Sequence, residues 1–338
     1  MQRSTFPLPA QRQSLSLLLS LATMTIALPP SFGCCSLHPA EFSAGQAQPK
    51  SSGTKGLAAE AYKDGKIVHL LGYQNSPVNL NAKGANAMLL PIPAKPGTMS
   101  EANILDTKSC KQFLVDIEKA VMTPPRTRGF SEHEEVSLPA SRVIVFDHDI
   151  YTIVLAQNAE DIPKALQRVP ADKRPSPNKS IFDSYQKWYK GWTFALCCFN
   201  NKQQADASPM LWWYEPLEPR QLFFPALDAH DGHSPRLDGK VAVDHTVAFS
   251  SYLMQDSPNW KNPLFSQGKF VLPEINKVSY TNEWEIDKAV RELLPKRVVG
   301  QKFEGKLPQG DFICGTQEVR DGVCLPRRKL PPGAITNP

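Results

Sequence analysis

Hydrophobic positions fall in short runs bounded by turn residues along most of the chain, and only a few stretches repeat with helical spacing. Strand patterns occupy Lys66 to Tyr73, Asn86 to Pro93, Arg142 to Ala156, Trp192 to Asn200, Met210 to Glu215, Gln221 to Leu227 and Val241 to Tyr252. The first two are expected to form a hairpin across an Asn-rich turn. The segment 142–156 is expected to hold two strands, or one bulged strand, around Asp147-His148-Asp149. The last four follow one another through short polar links, so antiparallel neighbours are expected.

Helical spacing first occurs after Asp106. Cys110, Phe113, Leu114, Ile117 and Val121 fall on one face, and Pro124-Pro125 ends the segment. A short helix is expected from Asn158 or Asp161, with Ile162, Leu166 and Val169 inward. A second, capped by Ser176 with Pro177 in its first turn, ends at Gly191 and carries Ile181, Phe182, Tyr185, Trp188 and Tyr189 on a broad core-facing side. Asn282 and Glu285 form a capping-box pattern before Ile286, Val290 and Leu293. The fold class read from this order is α+β: largely antiparallel sheet with three or four short packed helices, at 107–121, 177–190 and 284–293 in particular.

The first 33 residues are read separately. Arg3 and Arg12 precede an apolar run from Leu15 to Leu28, followed by Pro29-Pro30 and Gly33-Cys34. That is the layout of a secretory signal peptide, and the run is shorter than the ~20 residues a membrane span needs. Gly33-Cys34 resembles a lipoprotein cleavage site with Cys34 as lipid attachment, although Pro30 and Phe32 depart from that pattern. The alternative is plain cleavage that leaves Cys34 and Cys35 to pair. Residues 34–60, rich in Ser, Ala, Gly, Gln and Lys, are read as a flexible tether, 61–295 as the α+β core, and 296–338 as a proline-rich, strand-poor tail.

Composition narrows the classes. In 338 residues, 41% hydrophobic and 21% charged side chains exclude a disordered chain. The 31 prolines, against 19 glycines, argue against long helices. The net charge of +5 becomes +3 once residues 1–33, with two arginines and no acid, are removed. No basic run with interleaved aromatics marks a nucleic-acid surface, so membrane contact through an N-terminal lipid and an envelope or surface partner are the associations expected. An exported address also permits disulfides. Cys314 and Cys324 bracket Asp321-Gly322 in a hairpin-like spacing that suits a local bridge. Cys110 is read as a buried thiol. Cys197 and Cys198 point to opposite sides of a strand, so either one pairs outward or both are buried.

Familiar catalytic patterns are missing from the sequence: Gly-x-Ser-x-Gly, Ser-x-x-Lys with its partners, a complete phosphate loop, and His-Glu-x-x-His, for which His133-Glu134 has no second histidine. One constellation could carry chemistry. His230 and His233 in a loop after Leu227, with His245 on the following strand, would supply three imidazoles for a zinc ion with an open position. The competing reading is a set of exposed turn histidines around an Asp-Gly turn.

Several passages also resemble a known group. Asn86-Ala87-Met88-Leu89-Leu90-Pro91-Ile92-Pro93, the strand Val143 to Leu155, the passage Ser184-Tyr185 through Lys190-Gly191-Trp192-Thr193-Phe194, and Leu222-Phe223-Phe224-Pro225 are similar to exported bacterial proteins catalogued only as a domain of unknown function. The resemblance spans roughly residues 60–255 and implies export and fold, with no activity. The functional expectation is therefore an exported, envelope-associated binding or structural module, located in the periplasm, at the outer membrane or outside the cell. A zinc-dependent hydrolase using His230, His233 and His245 is one alternative. The other is a partner-binding module that presents the Cys314–Cys324 loop.

Overall fold

The computed structural model describes residues 35–36, 50–78, 84–121, 143–176, 179–200, 208–229, 233–255, 288–295, 298–321 and 326–334. The chain is α+β, with three sheets and short helices. The first sheet has the order β12-β11-β2-β3-β9-β5, built from Val299–Pro308, Lys240–Ser251, Lys50–Lys63, Lys66–Val78, Met210–Tyr214 and Ile104–Leu105. The second runs β1-β4-β8-β7-β6: Cys35–Ser36, Ala85–Ile92, Thr193–Asn200, Tyr151–Ala156 and Ile144–His148. The third, β10-β13-β14, joins Gln221–Phe224, Asp311–Gly315 and Arg327–Lys329.

Alternation along each strand divides the apolar side chains between two faces. Ala58, Leu71, Trp212, Val247 and Phe249 of the first sheet meet Leu90, Ile153, Ala195 and Cys197 of the second in one buried core. The outer face of the first sheet, with Leu57, Ala59, Leu70 and Ala248, lies under helix α1 (Phe113–Val121) and helix α4 (Lys288–Leu293). The outer face of the second, with Leu89, Val154, Leu196 and Cys198, lies under α2 (Ile162–Ala165) and α3 (Lys179–Trp188). The result is four layers, helix on sheet on sheet on helix. No described helix is long and apolar enough to cross a membrane.

Helices with a clear apolar face follow the sequence pattern. In α3 the side chains of Ile181, Phe182, Tyr185 and Trp188 are buried, and Gly191 closes the segment at φ +81°. Pro177 and the Asn282–Ile286 capping pattern lie outside the described residues, but Val290 and Leu293 are buried as expected. The 142–156 segment is a tight antiparallel hairpin, β6 to β7, with Asp149 at φ 52° in its turn.

Strand pairing departs from the sequence reading in four places. First, the expected hairpin between residues 66–73 and 86–93 does not form: β3 pairs with β2 and β9, whereas β4 pairs with β1 and β8 in the other sheet. The hairpin partner of β3 is β2, joined through Asp64-Gly65 at φ 55° and 72°, a two-residue turn that suits the strand twist. Second, that places a central strand over Lys50–Lys63, where the composition suggests a tether as far as residue 60. Small residues are needed there because the third sheet comes so close: a Cβ on Gly56 would stand 2.2 Å from the Phe224 ring. Third, β8, β9, β10 and β11 are not neighbours of one another; they are shared among three sheets, and β11 runs parallel to β2. Fourth, the region after residue 296 is rich in strand, because β12 and β13 bury Val299, Phe312 and Cys314 in the main core.

Candidate functional site

The sequence-derived histidines do not assemble into a described metal site. His230 lies outside the described residues and His233 is exposed. His245 is buried in β11, opposite Thr54 and Phe303, with its ring 6.2 Å from that of Phe312. Among the described residues no group of three or more His, Cys, Asp or Glu side chains is placed to hold a metal ion.

A different set of polar side chains is aligned by strand register. Ser251 on β11 stands opposite Glu60 on β2, Glu60 opposite His69 on β3, and His69 opposite Tyr214 on β9. Directly opposed residues share a face, so this rung of four lies on the inner side of the sheet, one repeat beyond the apolar rung Phe249, Ala58, Leu71 and Trp212. All four side chains are buried. A buried carboxylate needs a counter-charge, and Arg320 supplies it from helix α5 (Thr316–Arg320). Its Nη2 donates to Glu60 Oε1 at 2.5 Å and its Nε to Oε2 at 3.2 Å, while the Ser251 hydroxyl also donates to Glu60.

Burial drives the His69 imidazole down to about pH 4, with Arg320 adding to the effect, so the ring is neutral at physiological pH. Its Nε2–H then donates to the Pro219 carbonyl at 3.3 Å. Nδ1 and the Tyr214 hydroxyl have no hydrogen-bond partner among the described residues. The order across the strands decides the chemistry. Ser251 and His69 are two strand spacings apart, roughly 9–10 Å, and the Glu60 between them is engaged by a guanidinium. The base that the Ser251 hydroxyl meets is therefore the Glu60 carboxylate, whose two oxygens are also held by Arg320, and the His69 imidazole lies beyond hydrogen-bond reach of that hydroxyl.

Several exposed elements converge on the same end of the sheet. The β2–β3 turn brings Lys63 to 4.9 Å over the Trp213 ring, and Tyr62 packs with Tyr252 at 5.9 Å between centroids. The turn after β9 carries Leu217 and Arg220 and is tied to α5 by the Thr316 amide, which donates to the Arg220 carbonyl. Leu253 follows Tyr252 on a short 3-10 turn. Leu217 and Leu253 are two of the three large apolar side chains exposed among the described residues, Leu330 being the third.

A second buried polar cluster surrounds the backbone of Asp228. Asp311 on β13 accepts from the Tyr189 hydroxyl at 2.6 Å and from the Ala226 amide at 2.8 Å. Gln309 clasps the backbone of Asp228, and Arg328 on β14 lies 4.9 Å over the Phe312 ring with Asp311 and Asp228 nearby. Burial outweighs these donors and pushes the Asp311 carboxyl up to about pH 6.

The cysteines divide by environment. Cys110, Cys197 and Cys198 are free and buried, the last two on opposite faces of a strand covered on both sides, which leaves neither of them outward. Burial raises all three thiols, Cys110 to about 11. Cys314 is disulfide-bonded; Cys324, its expected partner, and Cys34 lie outside the described residues. The segment after Cys314 is not a hairpin, since Thr316–Arg320 is helical and directs Arg320 onto Glu60.

Glu60, His69, Ser251 and Arg320 were not singled out by the sequence patterns. The available signal was a lone ionisable residue inside an apolar run: Glu60 in Leu57-Ala58-Ala59-Glu60-Ala61 and His69 in Ile67-Val68-His69-Leu70-Leu71.

No protein-family model and no curated protein matches the chain. Among solved structures, baculovirus P35 is similar at 14% identity over 80% of this chain and 90% of that one, with a TM-score of 0.37. A mutated baculovirus P35 after caspase cleavage is similar at 12% identity over 78% and 96%, TM-score 0.38. The caspase-8/P35 complex gives 12% over 79% and 89%, TM-score 0.34. At such scores the likeness carries over neither a fold assignment nor a partner.

Proposed function

We propose that this protein is an exported, envelope-associated binding module, and that it contacts a protein partner through the end of the six-stranded sheet built around Glu60 and Arg320. The observation that carries the reading is the composition of that end. Tyr62, Tyr252, Leu217 and Leu253 lie beside Arg220 and Arg320, and tyrosine and arginine are the residue types that dominate binding energy at interfaces. The surface is also held in place by buried groups: Pro219 by His69, Arg220 by Thr316, Arg320 by Glu60, and the Leu253 amide by the Ser251 hydroxyl. A pre-ordered surface loses less entropy on association. This reading merges the binding-module expectation with the one that gave the Cys314–Cys324 segment a presenting role, since that segment carries α5. Export rests on the leader-like pattern of residues 1–33.

The test is site-specific photo-crosslinking of the full chain in its producing cells. A label at Leu253 or Leu217 is expected to give a discrete protein adduct in the envelope fraction, and a label at the exposed Leu330 to give none. Equal labelling from all three positions, or no adduct from either of the first two, rejects the reading.

A further inference from the structure

At the Glu60–Arg320 end, every ion pair among the described residues has its cation on the outside. Lys66 is 48% exposed against 13% for its partner Glu215, and Arg320 is 24% exposed against 1% for Glu60. Lys95 with Glu215, Lys63 with Asp64, and Arg220 with Glu218 show the same order. Carboxylates form the inner layer here, and ammonium and guanidinium groups form the layer that faces water. At the opposite end of the same strands the order is mixed, since Lys119 lies outside Asp116 while two other pairs reverse it. Lys302 is 32% exposed against 64% for Glu304, and Glu118 lies outside Lys55.

Resting on the binding reading above, we propose that the partner presents an acidic surface, with carboxylates spaced to meet Lys66, Lys95 and Arg220 and apolar or aromatic groups between them to meet Leu217, Leu253 and Tyr252. Local arrangement selects a protein rather than an anionic membrane. The five cations at this end are matched by four carboxylates, Glu60, Asp64, Glu215 and Glu218, so their summed charge is only +1. A lipid surface responds to summed charge over a Debye length. A folded or extended protein instead places single carboxylates against the outward cations while the inner acids stay covered. The exposed lysines already have partners, so an incoming carboxylate shares each cation with the acid beneath it, and the gain lies in orientation and encounter rate as much as in affinity.

The experiment uses the full chain against an array of synthetic peptides in which Glu and Asp alternate with Tyr, Phe and Leu, alongside neutral and basic versions of the same peptides. Acidic peptides are expected to bind, to weaken about tenfold between low and high salt, and to weaken about tenfold again with Lys66→Glu or Arg220→Glu. Lys302→Glu makes the same change in net charge at the other end and is expected to leave binding unchanged. The proposal is overturned if neutral or basic peptides bind as well, if Lys302→Glu is as damaging as the other two, if phosphatidylglycerol vesicles bind while the peptides do not, or if sedimentation shows a second copy of the chain in the site. Leu253 crosslinking separates the two levels: an adduct that is indifferent to Lys66→Glu and Arg220→Glu overturns the acidic partner alone, whereas loss of any adduct overturns the binding site itself.

Discussion

Arg320 holds Glu60 in a two-pronged ion pair across 260 residues of chain, with Nη2 and Nε each on one carboxylate oxygen. The carboxylate is near the end of an inner strand of the largest sheet, and the guanidinium comes from residue 320 of the 338. Removing the arginine would leave a buried charge beside neutral His69 and the Ser251 hydroxyl.

Arg320→Ala is therefore expected to destabilise the fold by about 3 kcal/mol, at the low end of the range for breaking a buried pair because the guanidinium keeps some contact with water. Glu60→Gln combined with Arg320→Met is expected to recover part of that loss, since no uncompensated charge remains. Urea denaturation of the four proteins in the cycle measures this.

Asp311 makes stability depend on pH with a definite sign. Its carboxyl titrates near 6 in the fold and at the ordinary 3.8 once exposed, so the folded protein holds the proton more tightly between those values. Stability from this group accordingly rises as pH falls from 7 through 6 toward 4, by up to about 3 kcal/mol, and is lost again on return to neutral pH. Asp311→Asn is expected to flatten the profile in that window. Thermal melts at pH 4.5, 5.5, 6.5 and 7.5 compare the two; an unchanged slope in the variant would assign the dependence elsewhere.

Gly56 is required by the approach of Phe224. Gly56→Ala is expected to cost about 2 to 3 kcal/mol, in the range for overpacking a rigid core. Pairing it with Phe224→Leu, which removes the ring edge from the place the new methyl must occupy, is expected to restore more stability than Phe224→Leu costs by itself. Additive losses in the double variant would show that the clash is relieved by backbone movement instead.

The bridge at Cys314 bears on α5 directly. If its other half is Cys324, as the spacing suggests, peptide mapping without reductant will give one linked fragment containing both residues. Cys324→Ser is then expected to lower stability by about 2 to 3 kcal/mol. It is also expected to weaken binding at the Arg320 end while Cys110, Cys197 and Cys198 remain unreactive to thiol reagents until the protein unfolds.

The zinc reading of the histidines makes a separate prediction. Elemental analysis of the purified chain is expected to show no stoichiometric zinc, and His245→Ala is expected to act on stability alone, by vacating space against Phe312. One zinc per chain that is lost with either His230→Ala or His233→Ala would reverse that expectation.

Local pattern was sufficient where an element's partners lie close by in the chain or where one face is plainly apolar. The β6–β7 hairpin needs only its own alternation and the two-residue turn Asp149-Ile150, and α3 needs only its aromatic stripe and the glycine that stops it. The buried state of Cys110 follows from the same spacing that places Phe113, Leu114 and Ile117. The strand β2 was not readable in this way, because glycine, alanine and serine carry weak strand preference and are used there to admit a neighbouring ring rather than to fill space. The buried polar rung was hidden for a related reason. Glu60, His69, Ser251 and Arg320 each look unremarkable in their own segments, and nothing in the spacing between them records which strands will be adjacent.

The sequence by itself determined the α+β class, most strand and helix positions and the thiol character of Cys110, since these depend on periodicity and on residues within a few positions of each other. Only the tertiary structure decided that β2 and β11 run side by side in parallel, that the C-terminal segment completes the core, and that Arg320 meets Glu60. Those outcomes come from packing two sheets face to face and from the need of one buried carboxylate for a counter-charge, and either condition can be met by residues at any distance along the chain.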